Sequence, residues 1–148
     1  MPTVLKIADT LDGFAIDIDD LEPLLPESAR ALRWALADAH EAAWILGPAM
    51  EHVEPEGALC FEAMQRFWKG VHQTVWGTYV AAVDDAILAA FPGDYLDRIA
   101  PETLARYPFL LQAIDSSFWL VHSTDESFRQ RVEARFQRVS YAGTHGGS

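Results

Sequence analysis

One cysteine, Cys60, stands among the 148 residues of the chain. No intramolecular disulfide can form, which suits a reducing compartment. Basic side chains are scarce: 11 Lys and Arg face 22 Asp and Glu, for a formal net charge of −11. A molecule so acidic repels nucleic acid, because polyanion binding needs a net basic footprint. The run Arg129, Arg131, Arg135 and Arg138 is accompanied by Glu126 and Glu133 and reads as a solvated helix face. No apolar stretch approaches the roughly 20 residues that span a bilayer as a helix, so no membrane partner is expected. The opening MPTVLKIADTLDG lacks a long apolar run and a small-residue cleavage site, so no signal peptide is expected and the expected compartment is the cytoplasm. Gly70 and Gly77 are followed by no Gly-Lys-Ser/Thr, which excludes a phosphate-binding loop of that kind.

What the chain has in quantity is apolar and aromatic side chains. Half of its residues are apolar, with five Trp, eight Phe and four Tyr, enough for a core without staples. Its length predicts one domain over residues 1–142, with the small, polar residues 143–148 as a flexible tail.

Val4, Leu5 and Ile7 form one short apolar run and Phe14 to Ile18 another, and Asp12-Gly13 between them predicts a hairpin. Ser28 is placed to cap a helix carrying Leu32, Leu36, Ala39, Ala43 and Leu46, ended by Gly47-Pro48. The alternation Leu32, Trp34, Leu36 allows instead a short helix from Pro26 and then a strand. Seven alanines between Ala29 and Ala43 favour the single long helix. Residues 48–57 are an acidic, proline-bounded loop, and Leu59 to Gln73 has a helical apolar face. Thr74 to Val83 is β-branched and aromatic on both faces, predicting a central strand, and Ser116 to His122 a second. Ser123 and Glu126 stand at capping-box spacing before the stripe Phe128, Val132, Phe136 and Val139, a C-terminal amphipathic helix. The predicted fold is α+β, an antiparallel or mixed sheet of four to five strands with helices packed on it.

Asp17-Ile18-Asp19-Asp20 follows the apolar Phe14-Ala15-Ile16. This resembles the haloacid-dehalogenase-type phosphatases, where a strand ends in Asp-x-Asp. The resemblance implies a magnesium-dependent hydrolase using Asp17 and Asp19, with Asp84-Asp85 and Lys69 completing the site. It departs from the pattern at Leu21, and at the hairpin, which conflicts with the family's parallel sheet. A solvated turn with Asp20 as an N-cap is the simpler reading.

No histidine pair has zinc-ligand spacing: His40-Glu41 is followed by Trp44 where a second His belongs. His52 lies among Glu51, Glu54 and Glu56, an ion pair rather than a metal site, and Cys60 reads as a small buried hydrophobe. No metal or cofactor is expected.

The acidic excess is lopsided. Residues 1–62 hold thirteen carboxylates against Lys6, Arg30 and Arg33, while the rest of the chain is nearly neutral. Such a segment speeds encounter with a basic partner. Aromatics are enriched at interface centres, which singles out Trp34 and Trp44 with Asp38, Glu41, Glu51, Glu54 and Glu56 as the partner-binding candidates. The expectation is a non-enzymatic protein-binding protein, in its sharpest form an immunity or inhibitor protein neutralising a basic toxin or nuclease of a bacterial toxin system. A homodimer joined through its aromatics is a further alternative.

Overall fold

A computed structural model describes residues 4–11, 14–37 and 43–142. Ten strands run β1 Val4–Ile7, β2 Thr10–Leu11, β3 Phe14–Ala15, β4 Arg33–Ala37, β5 Trp44–Leu46, β6 Leu59–Cys60, β7 Gln73–Ala82, β8 Phe109–Ile114, β9 Phe118–Ser123 and β10 Val139–Tyr141. The helices are α1 Ile18–Leu21, α2 Phe61–Lys69, α3 Asp85–Ala89, α4 Pro101–Leu104 and α5 Glu126–Arg135, with short 3-10 turns at Glu22–Leu24, Glu27–Ala31 and Leu96–Arg98.

The class is α+β, but the sheet is larger than expected. Eight strands, not four or five, follow the order β10-β1-β9-β8-β7-β4-β6, with β5 also on β7, and every pairing is antiparallel. Short strands account for the difference. β6 and β10 hold two and three residues, too few to show a period, and β8 (FLLQAI) is apolar except for Gln112, with no alternation to read.

The single helix over 29–46 is overturned. A 3-10 turn over Glu27–Ala31 leads into β4, and β5 follows. Alternation wins over alanine propensity because β4 sends Trp34 and Leu36 to one core and Ala35 and Ala37 to the other. Trp34 stacks on Phe109 at 6.2 Å and meets Trp68 edge-on at 5.3 Å. Burying an indole of roughly 150–250 Å² at about 25 cal/mol/Å² is worth about 4–6 kcal/mol. Helix propensity offers only tenths of a kcal/mol per residue against it.

The N-terminal hairpin is reduced to β2 and β3, whose turn at Asp12-Gly13 lies outside the described residues. β1 pairs instead with β9 and β10 in the main sheet. The expected tail, 143–148, also lies outside them. The C-terminal helix buries Phe128 and Val132 as expected, and Phe136 just past its end. Its cap is corrected: the Asp125 carboxylate, not Ser123, accepts from the Phe128 N–H at 2.9 Å. Ser123 lies a step earlier, its hydroxyl accepting from the Asp125 N–H.

Each face of the sheet carries a core. On one, Ile18 and Leu21 of α1, Phe61, Met64 and Trp68 of α2, and Phe128 and Val132 of α5 cover Leu5, Ile7, Trp34, Tyr79, Leu111 and Trp119. On the other, Leu88, Leu96, Leu104 and Tyr107 cover Val4, Val80, Leu110 and Leu120.

β4 and β5 line the same edge of β7 one after the other: β4 takes Thr78 to Ala82, and β5 takes Gln73 to Trp76. Gly77 sits at the handover with φ +148°, and a Cβ there would meet Leu36 Cδ1 at 3.0 Å. The register slips between Trp44 and Ile45 at the same place. The irregularity resets the side-chain alternation, so Thr74 and Tyr79, an odd number of residues apart, meet on one face with their hydroxyls 3.0 Å apart.

Candidate functional site

β5 turns back on itself. The Met50 N–H donates to Gly47 O (2.9 Å), the Gly47 N–H to Glu51 O (2.8 Å) and the Val53 N–H to Ile45 O (2.9 Å), closing a hairpin over 45–53. Met50 takes φ +58° in its turn. Ile45 is buried and Val53 packs beside it on the large core. Trp44 and His52 take the opposite face, with rings 6.0 Å apart. Trp44 is opposite Trp76 of β7, and the Trp76 ring lies 6.4 Å from Tyr95. The Arg98 guanidinium closes this row over Tyr95 at 5.0 Å. An aromatic stripe, His52, Trp44, Trp76 and Tyr95, thus crosses the sheet where the second core ends.

Trp44 is 54% exposed and Met50 56%. On the same segment Glu51, Glu54 and Glu56 are exposed, Glu51 on the Val53 face. Among the described residues none of these three carboxylates takes part in an ion pair. The arrangement is an apolar, aromatic ledge rimmed by unpaired negative charge, which favours a cationic group over a neutral or anionic one.

The hairpin's register puts Glu54 on the Trp44 face, while Glu51, opposite Gly47, turns to the Val53 face and Glu56 follows beyond Pro55; Asp38 and Glu41 lie outside the described residues. Trp34 is corrected. It is fully buried and its indole N–H donates to Ala29 O at 3.1 Å, so it serves the core and not a surface. Trp76 and Tyr95 are the members that sequence reasoning missed. A strand apolar on both faces reads as central, whereas Trp76 is half-buried on the stretch of β7 that β5 flanks. Cys60 is exposed, not buried, at the start of α2.

The Asp17 cluster is built differently from a metal site. The N-cap of α1 is Asp17 and not Asp20: the Asp17 carboxylate accepts from the Ile18 N–H (2.7 Å), and Asp20, inside the helix, accepts from the Asp17 N–H (3.0 Å). Both Asp17 oxygens also bind β7: Oδ2 accepts from the Thr74 N–H (2.8 Å) and Oδ1 from the Thr74 hydroxyl (3.0 Å). Burial raises its pKa above the ordinary 3.8, against the pull of those hydrogen bonds. Asp19 points to solvent. A cleft of about 640 Å³ opens beside Asp17, lined by His72, Gln73, Thr74, Ser116 and Ser117 among others. Asp84 and Asp85, which the phosphatase resemblance would add, follow the far end of β7. Ten residues at about 3.3 Å each separate the pairs by roughly 30 Å. Among the described residues no three His, Cys, Asp or Glu side chains gather to hold a metal ion, and no helix is long and apolar enough to cross a membrane.

No protein-family model, curated protein or solved structure matches the chain.

Proposed function

We propose that the protein binds a basic protein partner, without catalysis of its own, through the hairpin that carries Trp44, Glu51, Glu54 and Glu56. The observation that carries this reading is an indole more than half exposed on a segment whose three carboxylates, Glu51, Glu54 and Glu56, are exposed and without an ion-pair partner. Unneutralised carboxylates repel one another, and a positive surface relieves that repulsion on binding. The sharpest version is an immunity or inhibitor protein whose acidic face occupies the basic active site of a toxin or nuclease, where association is steered by charge.

The test is the association rate of the partner captured from the native lysate. Raising salt from about 50 to about 500 mM, roughly a threefold shortening of the Debye length, slows association if charge steers it. Reversing Glu51, Glu54 and Glu56 to Lys slows it further with the fold intact. A partner indifferent to both changes overturns the reading.

A further inference from the structure

Resting on that reading, we propose how the partner is held: as an extended, arginine-bearing segment that adds a strand to the free edge at His52–Glu54 and lays its guanidinium groups across Trp44. The hairpin's hydrogen-bond pattern supplies the edge. Leu46 and His52 face each other as a pair that exchanges no hydrogen bonds, flanked by the Val53–Ile45 and Gly47–Glu51 bonds. Leu46 turns its main chain towards the β7 side, where its carbonyl accepts from the His72 N–H at 2.7 Å. His52 must therefore turn its N–H and C=O the other way, outward. Among the described residues neither His52 nor Glu54 has a main-chain hydrogen bond on that side. Pro55 has no N–H and bounds the edge.

The side chains choose the occupant. Trp44 and His52 share the outer face, and the hairpin's register brings Glu54 opposite Trp44. Alternate side chains of an added strand would reach that face, so arginines two apart would meet the indole and the Glu54 carboxylate in turn. A guanidinium suits both contacts, because it stacks flat on an aromatic ring and offers a fork of donors to a carboxylate. Acidic side chains also protect edges from unwanted pairing; if that is all these do, a basic strand will not dock.

The probe is a synthetic peptide alternating arginine with threonine, titrated by calorimetry into the full chain, with amide hydrogen exchange read in parallel. Binding is expected, with slowed exchange at His52 and Glu54. Trp44→Ala should weaken it roughly threefold to fivefold, the size of an exposed cation–π contact. Methylating the peptide amides along one edge should weaken it at least roughly tenfold, since several main-chain hydrogen bonds are lost together. A parent peptide that fails to bind overturns the proposal. A methylated peptide that binds as well as the parent, or unchanged exchange at His52 and Glu54, rejects strand addition but leaves a basic partner in place. Peptide binding that survives reversal of Glu51, Glu54 and Glu56 to Lys sinks the electrostatic reading instead.

Discussion

Trp34 and Trp44 lie on consecutive strands that line one edge of β7, yet the first is sealed in the core and the second stands in solvent. β4 has α2 across one face and β6 along its flank, so Trp34 is enclosed by Phe61, Trp68 and Phe109. β5 lies between β7 and its own return segment, and Trp44 on its outer face is 54% exposed. Residue type and strand partner are the same; cover is what differs. The covered part of the sheet sets stability, and the uncovered part is open to partners.

The sharpest way to break this comparison is to truncate both indoles. Trp34→Ala should lower unfolding free energy by about 3–5 kcal/mol in urea denaturation. A loss below about 1 kcal/mol would place Trp34 at the surface and erase the distinction.

The next effect is one of acidity. His122 lies under the second core, and burial pulls its pKa from 6.5 down to about 4, against hydrogen bonds with the main chain at Leu104 and Tyr107. The folded state binds this proton less readily than the unfolded one. Its share of stability is therefore complete above about pH 6.5 and lost as pH falls through about 4, a decline of about 3 kcal/mol. Denaturation curves taken from pH 7 to pH 4 should show that slope, and His122→Gln should flatten it. An unaltered slope in the variant would assign the decline to other groups.

A smaller loss, about 1–3 kcal/mol, is expected for Thr74→Val, which deprives Asp17 and Tyr79 of the hydroxyl they share. A neutral result would mean that water replaces that hydroxyl. Trp44→Ala is the smallest: within about 0.5 kcal/mol in stability, as for exposed positions generally, while partner binding weakens. Should it cost as much as Trp34→Ala, the hairpin is part of the core and not a docking ledge.

Local order was legible where one element decides it alone. The stripe showed that Phe128, Val132 and Phe136 would be buried by α5 and its end, though its fourth member, Val139, stands in β10 and not on the helix, and the β-branched run at Thr74–Ala82 showed a central strand. Order set by distant cover was not. Alanine-rich 29–46 reads as helix until Phe61, Trp68 and Phe109 arrive to enclose Trp34, and only α2 and β8, later in the chain, bring that enclosure. Of the candidate site, the acidic hairpin around Trp44 could be located from composition and its proline bounds. Its aromatic continuation through Trp76 and Tyr95 could not, because that depends on which strand flanks which half of β7. The cap at Asp125 was displaced from Ser123 because the Ser123 hydroxyl is occupied with the Asp125 N–H.

The place of β1 has a consequence for how the chain reaches this structure. Val4 is registered with His122 and Leu5 with Tyr141, so the first strand fits between two of the last. During synthesis it must wait, unpaired and apolar, until β9 and β10 have emerged. Such distant pairing closes the largest loops and belongs to the slow end of domain folding, milliseconds to seconds rather than microseconds. Until β1 docks, β9 is left with one side unpaired, and that gap is the place where a half-folded molecule would most readily accept a strand from another copy.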